Sequence, residues 1–372
     1  MLGLAAVACG DDGSVAEEAS AIPIDPVAGG NPTSMQVLSE SHGWIARDGS
    51  LWITADGGES WTDISPEGLQ PNSVKGIHFL DADHGWIMTN GARGSSDAIQ
   101  LQVLRTSDAG RTWESSPMGE PSVDYTLSLG GPASFFFLDA QHGWAVVRLA
   151  SSSQFNWGHL YRTQDGGVTW EKLSVPLGEP VVFANEQDGF QTGGPVGDAF
   201  FVTHDGGASW EAAQLPIPSE FAATYPVYGR PSFFSALQGV LPVTFAADRS
   251  TLGVYTTSDG GSSWQLKGAR ATSQPLGVGL TNPSDVVDLN TVIAVPGGDK
   301  VYSTADQGET WSITSPNGLP AGVSDVDFAS ERVGWALVQS SECRSFKDDC
   351  STASQAFKTA DGGQTWVPLA LD

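Results

Sequence analysis

Aspartate, histidine, arginine and cysteine are the residues through which this chain could do chemistry, and their spacing limits what each can do. Asp56, Asp108, Asp165, Asp205, Asp259, Asp306 and Asp361 each follow a Thr by two positions. Each also precedes a Gly by two positions and a Ser/Thr-Trp pair by four and five, as in Thr54-Ala-Asp56-Gly-Gly58-Glu-Ser60-Trp61. A pair of carboxylates could cleave a glycosidic bond as acid and base or nucleophile. These carboxylates, however, arrive with their own donors. In a tight turn Asp accepts from backbone N–H groups a few residues on, and the Ser/Thr hydroxyls can join it. The Gly tolerates positive φ, and the Trp supplies an apolar body for packing. The motif therefore reads as a staple for a hairpin, with no catalytic residue in it.

His42, His84 and His142 recur in a second pattern, Ser41-His42-Gly43-Trp44, Asp83-His84-Gly85-Trp86 and Gln141-His142-Gly143-Trp144. One ion needs several ligands at about 2 Å, and one histidine per repeat cannot supply them. The expectation is turn capping, with no metal and no cofactor. Cys343 and Cys350 share one polar insertion and lack two further ligands nearby. A disulfide is expected between them, worth roughly 2–3 kcal/mol in the chain-entropy model. Cys9 follows Ala6 and Ala8, as a lipid-modified cysteine follows a signal segment.

These residues must be positioned by a repeated element. The staples begin at intervals between 40 residues (Thr163 to Thr203) and 57 (Thr106 to Thr163), a spacing typical of blades or solenoid turns. Each unit reads as four short strands separated by Gly, Asp and Asn turns, with no sustained helical period. Four strands seven times over is an all-β, seven-bladed propeller, whose closed ring hides sheet edges. The blades are expected near 33–66, 73–117, 131–176, 178–216, 229–268, 275–316 and 321–371. Trp61, Trp113, Trp170, Trp210, Trp264, Trp311 and Trp366 should be buried at equivalent positions. Residues 1–9 read as a signal remnant, 10–32 as a flexible linker and 33–372 as the propeller. Each blade reads as complete in itself, which leaves the mode of ring closure open.

With 43 acidic against 17 basic residues the net charge is −26. That argues against nucleic acid as a partner and against direct docking on anionic lipid. A membrane would be met only through a lipid anchor. An acidic surface favours solubility and suits a cell-exterior setting.

The seven Thr-x-Asp-x-Gly-x-Ser/Thr-Trp copies resemble the Asp-box (BNR) repeat of sialidases, sortilin-type receptors and xyloglucan-cleaving glycosidases. The Gly-Trp strand is most similar to photosystem II assembly factor-like propellers of exported bacterial proteins. The resemblance spans about 33–371 and implies the fold far more than an activity. Sialidases carry an Arg-Ile-Pro-like segment in the first blade; the nearest match here, Tyr228-Gly229-Arg230-Pro231, lacks the Ile and falls in the fifth. Xyloglucan-cleaving relatives use two facing propellers, and this chain has one. Assembly factors are expected to present a basic partner surface, which the acidic balance opposes.

Strand order puts the Asp turns and the histidine turns on one rim. The other rim carries the longer insertions, 89–100, 149–158, 216–229 and 339–355. They hold Arg93, Trp157, Tyr225, Tyr228 and Arg344, with Arg230 just beyond. Aromatic and arginine side chains on loops over a rigid frame suit recognition. The reading is an exported, lipid-anchored, monomeric and non-catalytic propeller that binds a protein or glycan at the cell envelope. The alternative is a glycoside hydrolase with carboxylates at the central funnel.

Overall fold

The computed structural model describes residues 31–70, 73–93, 98–122, 133–149, 157–246, 250–272, 283–343 and 350–371. Their β-branched and aromatic runs, cut by Gly, Asp and Asn, form seven antiparallel sheets. The blades span 32–63, 74–122, 134–173, 181–212, 225–271, 284–314 and 323–368. Each takes its strands in chain order from one continuous stretch. Blade 5 differs. Its inner strand is split into Tyr225–Tyr228 and Ser232–Phe233, both paired with Gly239–Ala246. Gly229, Arg230 and Pro231 fill the break, where Pro231 has no N–H to give a ladder.

Contacts between the first strands of neighbouring blades arrange these strands around a central channel. Blade 7 meets blade 1 without exchanging a strand. Side chains and the C-terminal tail make that closure instead. Asp327 Oδ2 accepts the Val37 N–H at 2.8 Å, Trp61 Nε1 donates to the Ala370 carbonyl at 2.9 Å, and Arg47 donates to the Leu371 carbonyl. Leu369 and Leu371 are buried with Met35, Val37 and Trp335.

The core lies between blades and follows one rule. Six second strands open on Gly, and the residue after it packs toward the last inner-strand residue of the next blade; in blade 6 Val292 stands in place of the Gly. Trp86 stacks on Phe137 with centroids 3.5 Å apart, Trp144 on Phe183 at 3.7 Å, and Phe190 on Phe233 at 5.1 Å. The Gly itself is dictated by its own blade. A Cβ on Gly85 or Gly143 would lie 2.5 or 2.4 Å from the ring of Phe79 or Phe137. Trp44, Trp86, Trp144 and Trp335 are consequently sealed.

The Asp-turn tryptophans are less uniform than expected. Trp264 and Trp366 are buried, whereas Trp61, Trp113, Trp170, Trp210 and Trp311 are only half-buried. They lead into outer strands whose free side meets water, such as the wholly exposed Thr62–Asp63. The insertions 89–100 and 339–355 are also mostly strand, within Gly85–Arg93, Ile99–Thr106, Gly334–Cys343 and Cys350–Thr359. Backbone pairing extends these ladders through polar sequence that shows no alternation.

Candidate functional site

The Asp turns repeat one network seven times. In blade 3, Thr163 Oγ1 donates to Asp165 Oδ1 at 2.8 Å, and the Gly167 N–H donates to Thr163 Oγ1 at 2.8 Å. The Thr169 N–H reaches Asp165 Oδ1 at 2.9 Å and its hydroxyl reaches Oδ2 at 2.6 Å. The same Thr-to-Asp and Ser/Thr-to-Asp hydroxyl bonds hold Asp56, Asp108, Asp205, Asp259, Asp306 and Asp361. The fifth-position Gly has φ between 77° and 94° in all seven turns, which explains its identity. Donation from the Ser60, Thr112 or Ser209 hydroxyl, then from the same residue's N–H, holds Asp56, Asp108 and Asp205 down at about 2. Both oxygens are engaged and the charge is fixed, so these carboxylates are poor proton carriers.

The histidine turns share that rim. The Gly166 N–H, for instance, donates to the Gln141 carbonyl at 2.9 Å. His84 Nδ1 lies 3.0 Å from Asp81 and His142 Nδ1 lies 2.9 Å from Asp139. Each histidine caps its own turn. Among the described residues no three His, Cys, Asp or Glu converge as metal ligands.

The opposite, hairpin rim carries two prominent aromatics. Trp157 opens the third strand of blade 3 and is 66% exposed; Tyr225 opens the inner strand of blade 5 and is 63% exposed. Val196, at the corresponding turn of blade 4 between them, is also exposed. Tyr228 is a correction to the expected set. It is 4% exposed and packs edge-on to Phe200, because 225–228 is inner strand rather than loop. Arg93 ends a strand, and its side chain, like all of Arg344 and Cys9, lies outside the described residues. Between blades 5 and 6 a cleft of about 30 Å³ runs past Tyr228, Leu252 and Trp311. It has room for about two waters.

The channel holds the residues that sequence reasoning missed. Gln36, His78, Phe136, Val182, Ser232, Asp285 and Asp327 occupy one equivalent inner-strand position, each immediately before the residue that pairs with the start of the second strand. The phase repeats while the chemistry varies, and that variation was the available signal. Gln36 Oε1 accepts from Trp44 Nε1 at 2.9 Å and from the Phe79 N–H of blade 2 at 3.2 Å. Asp285 Oδ2 accepts from the Phe328 N–H of blade 7 at 2.7 Å. His78 stacks on Phe137, and its buried Nε2 has no hydrogen-bond partner.

Arg230 enters this channel from the break in blade 5. Its electrostatic neighbours are Asp325, Asp285 and Asp327 from blades 6 and 7, and it acts in turn on His78 of blade 2. Arg230 and Asp325 are open to the lumen, yet protein encircles them, so they meet water without its bulk screening. Burial thus lowers Arg230 and raises Asp325. Burial also brings Asp285 up to about 6, lifts Asp327 well above the carboxylate range, and, with help from Arg230, presses His78 down to about 4. The two most shifted carboxyls each commit one oxygen to a neighbouring blade's backbone. They are acceptors in the wall of the channel first, and candidate proton carriers second.

No protein-family model matches the chain. It is 30% identical over 129 residues to a xyloglucanase from Paenibacillus sp, a stretch covering 33% of this chain and 12% of that enzyme. The match thus spans about an eighth of the length of that curated relative. YCF48 from Cyanidioschyzon merolae superposes with a TM-score of 0.52 at 17% identity, covering 85% of this chain and 94% of YCF48. YCF48 bound to a D1 peptide gives the same score and identity over 95% of its length. An ulvan lyase bound to -[GlcA(1-4)Rha3S]- gives 0.50 at 11% identity, over 92% and 96% of the two chains. At such identities the likeness establishes the fold: a seven-bladed propeller of four-stranded blades.

Proposed function

We propose that this propeller is a non-catalytic recognition module of the cell envelope, which takes a polypeptide or glycan partner on its hairpin rim. The observation that carries this reading is the exposure of Trp157 and Tyr225 on one rim, while the Asp turns of the other rim are spent internally. Exposed Trp and Tyr are favoured anchors at interfaces, since each adds a large rigid surface with few rotamers to fix. A propeller of similar fold bound to a peptide supports a polypeptide as the partner. In this reading the chain is exported as a monomer and carries lipid on Cys9. Cys343 and Cys350 are cross-strand partners; opposite residues of such a ladder lie about 4.5–5.5 Å apart, within disulfide range.

A photo-crosslinking residue in place of Trp157, installed in the exporting cell, should capture a partner that the same probe at Val168 on the Asp-turn rim does not. Equal capture at both sites would remove the hairpin rim from the reading. Mass spectrometry of the mature chain should find lipid on Cys9 and no free thiol at Cys343 or Cys350. A second reading, glycoside hydrolysis, draws on the xyloglucanase-like stretch and on the channel carboxyls. Release of sugar from xyloglucan that disappears in Asp325→Asn would install that reading in place of binding.

A further inference from the structure

The inner ring changes its chemistry part-way round. From blade 2 to blade 5 the junctions are ring stacks, Trp86 on Phe137, Trp144 on Phe183 and Phe190 on Phe233. Around blade 7 a carboxyl spans each junction. Asp285 of blade 6 receives the Phe328 N–H at 2.7 Å, and Asp327 of blade 7 receives the Val37 N–H of blade 1 at 2.8 Å. Both donors are the last inner-strand residue of the next blade. The second junction is also the place where the two ends of the ring meet with no peptide link between them.

We propose that Asp285 and Asp327 form a proton-sensitive clasp on blade 7, which tightens its two seams when the carboxyls are neutral and loosens them as they ionise. The inner strands bearing the pair pack directly on each other, and Asp325 lies two residues from Asp327 on the same strand. Among the described residues no ion pair ties Arg230 to any of the three. One guanidinium therefore faces three carboxyls in an enclosed lumen, and each ionisation adds repulsion across the 6/7 seam. A neutral carboxyl still accepts the backbone N–H through its carbonyl oxygen, and it gains an O–H to donate.

Burial first, then repulsion from Asp325 on Asp285 and from Asp285 and Asp325 on Asp327, raises both groups, Asp285 to about 6, and outweighs the seam hydrogen bonds, which by themselves favour the ionised form. A carboxyl raised above its unfolded value makes the folded state bind protons more tightly. Stability from this source is complete below the unfolded value of 3.8 and is lost as pH rises through the folded value, so for Asp285 most of the change falls between about pH 5 and 7. Asp325 acts in the same sense. His78, held at about 4, stays neutral in that window. The adjoining strands Pro32–Val37, Gly239–Ala246 and Val292–Ala294 carry no ionisable side chain, and Glu342 and Cys343 lie at the far hairpin end of Gly334–Cys343.

Hydrogen exchange of the full chain, corrected for intrinsic rates, tests the clasp at its own donors. Protection of the Val37 and Phe328 amides should fall about tenfold between pH 5.5 and pH 8, while Phe183 in the stacked arc stays constant. Asp285→Asn with Asp327→Asn keeps an acceptor and removes the charge. It should hold both amides at their acid-side protection throughout, and Asp327→Asn alone should do so for Val37. Flat protection in the unaltered chain would overturn the clasp without need of any variant. So would Asn variants that lose protection equally at both pH values, since that marks a plain structural acceptor.

Discussion

Asp165 and Asp327 are the same residue in the same fold, and the fold holds them in opposite ways. Asp165 sits at a turn that supplies its own donors, Thr163 before it and Thr169 after it, and they hold it low despite some burial. Asp327 has one backbone donor, from another blade, inside a lumen it shares with Asp285 and Asp325, and it is raised. The contrast teaches where to look for function in a repeat protein. Chemistry that recurs with its own donors builds the blade. Chemistry that changes at a recurring position is free of that duty.

The broadest way to break this contrast is a stability profile against pH. The Asp-turn carboxyls Asp56, Asp108 and Asp205 fold at about 2, below their unfolded value of 3.8. Their contribution is complete above the unfolded value and is lost as pH falls through the folded one. The channel carboxyls work the other way, so the melting temperature should peak between about pH 4 and 6 and decline on both sides. A continuous rise from pH 3 to pH 8 would mean that the channel aspartates are ordinary.

A smaller effect separates the two sets at single positions. Asp165→Ala strands the Thr163 hydroxyl and both donors of Thr169 at a wet surface. It should cost about 1–2 kcal/mol by chemical denaturation, the same at pH 6 and pH 8. A pH-dependent loss would place the Asp turns in the same class as the channel. The smallest effect is expected at Asp325, which is open to the lumen and bridges no seam. Asp325→Asn should change stability by about 0.5 kcal/mol or less. A loss of several kcal/mol would make it a third member of the clasp.

The seven blades were legible because Thr, Asp, Gly and Trp recur with fixed offsets: local hydrogen bonds explain the Thr and Asp, positive φ the Gly, and packing between blades the Trp. The channel was not legible, because Gln36, His78, Ser232, Asp285 and Asp327 share a register and not a residue type. Arg230 was noticed as part of a failed motif and as a recognition residue beside the rim insertions, with no sign that it meets the channel aspartates. Its access to the lumen comes from Gly229 and Pro231 interrupting the inner strand, a feature of pairing rather than of composition. Tyr228 was misplaced for the same reason, since a four-residue strand beyond that break reads as loop. The extended hairpins were mistaken for loops because backbone ladders need no apolar alternation.

The inner strand of blade 1 runs from Pro32 to Val37, and Val37 leads into the turn on the Asp-turn rim. The chain therefore enters the ring on the hairpin rim, the side that bears Trp157 and Tyr225. Under the proposed anchor at Cys9, residues 10–31 can bridge at most about 75 Å even when drawn out straight. The tether would then leave from the rim bearing the aromatics, and it would keep that rim within about that reach of the bilayer. Reach as well as address would select which molecules this propeller can meet.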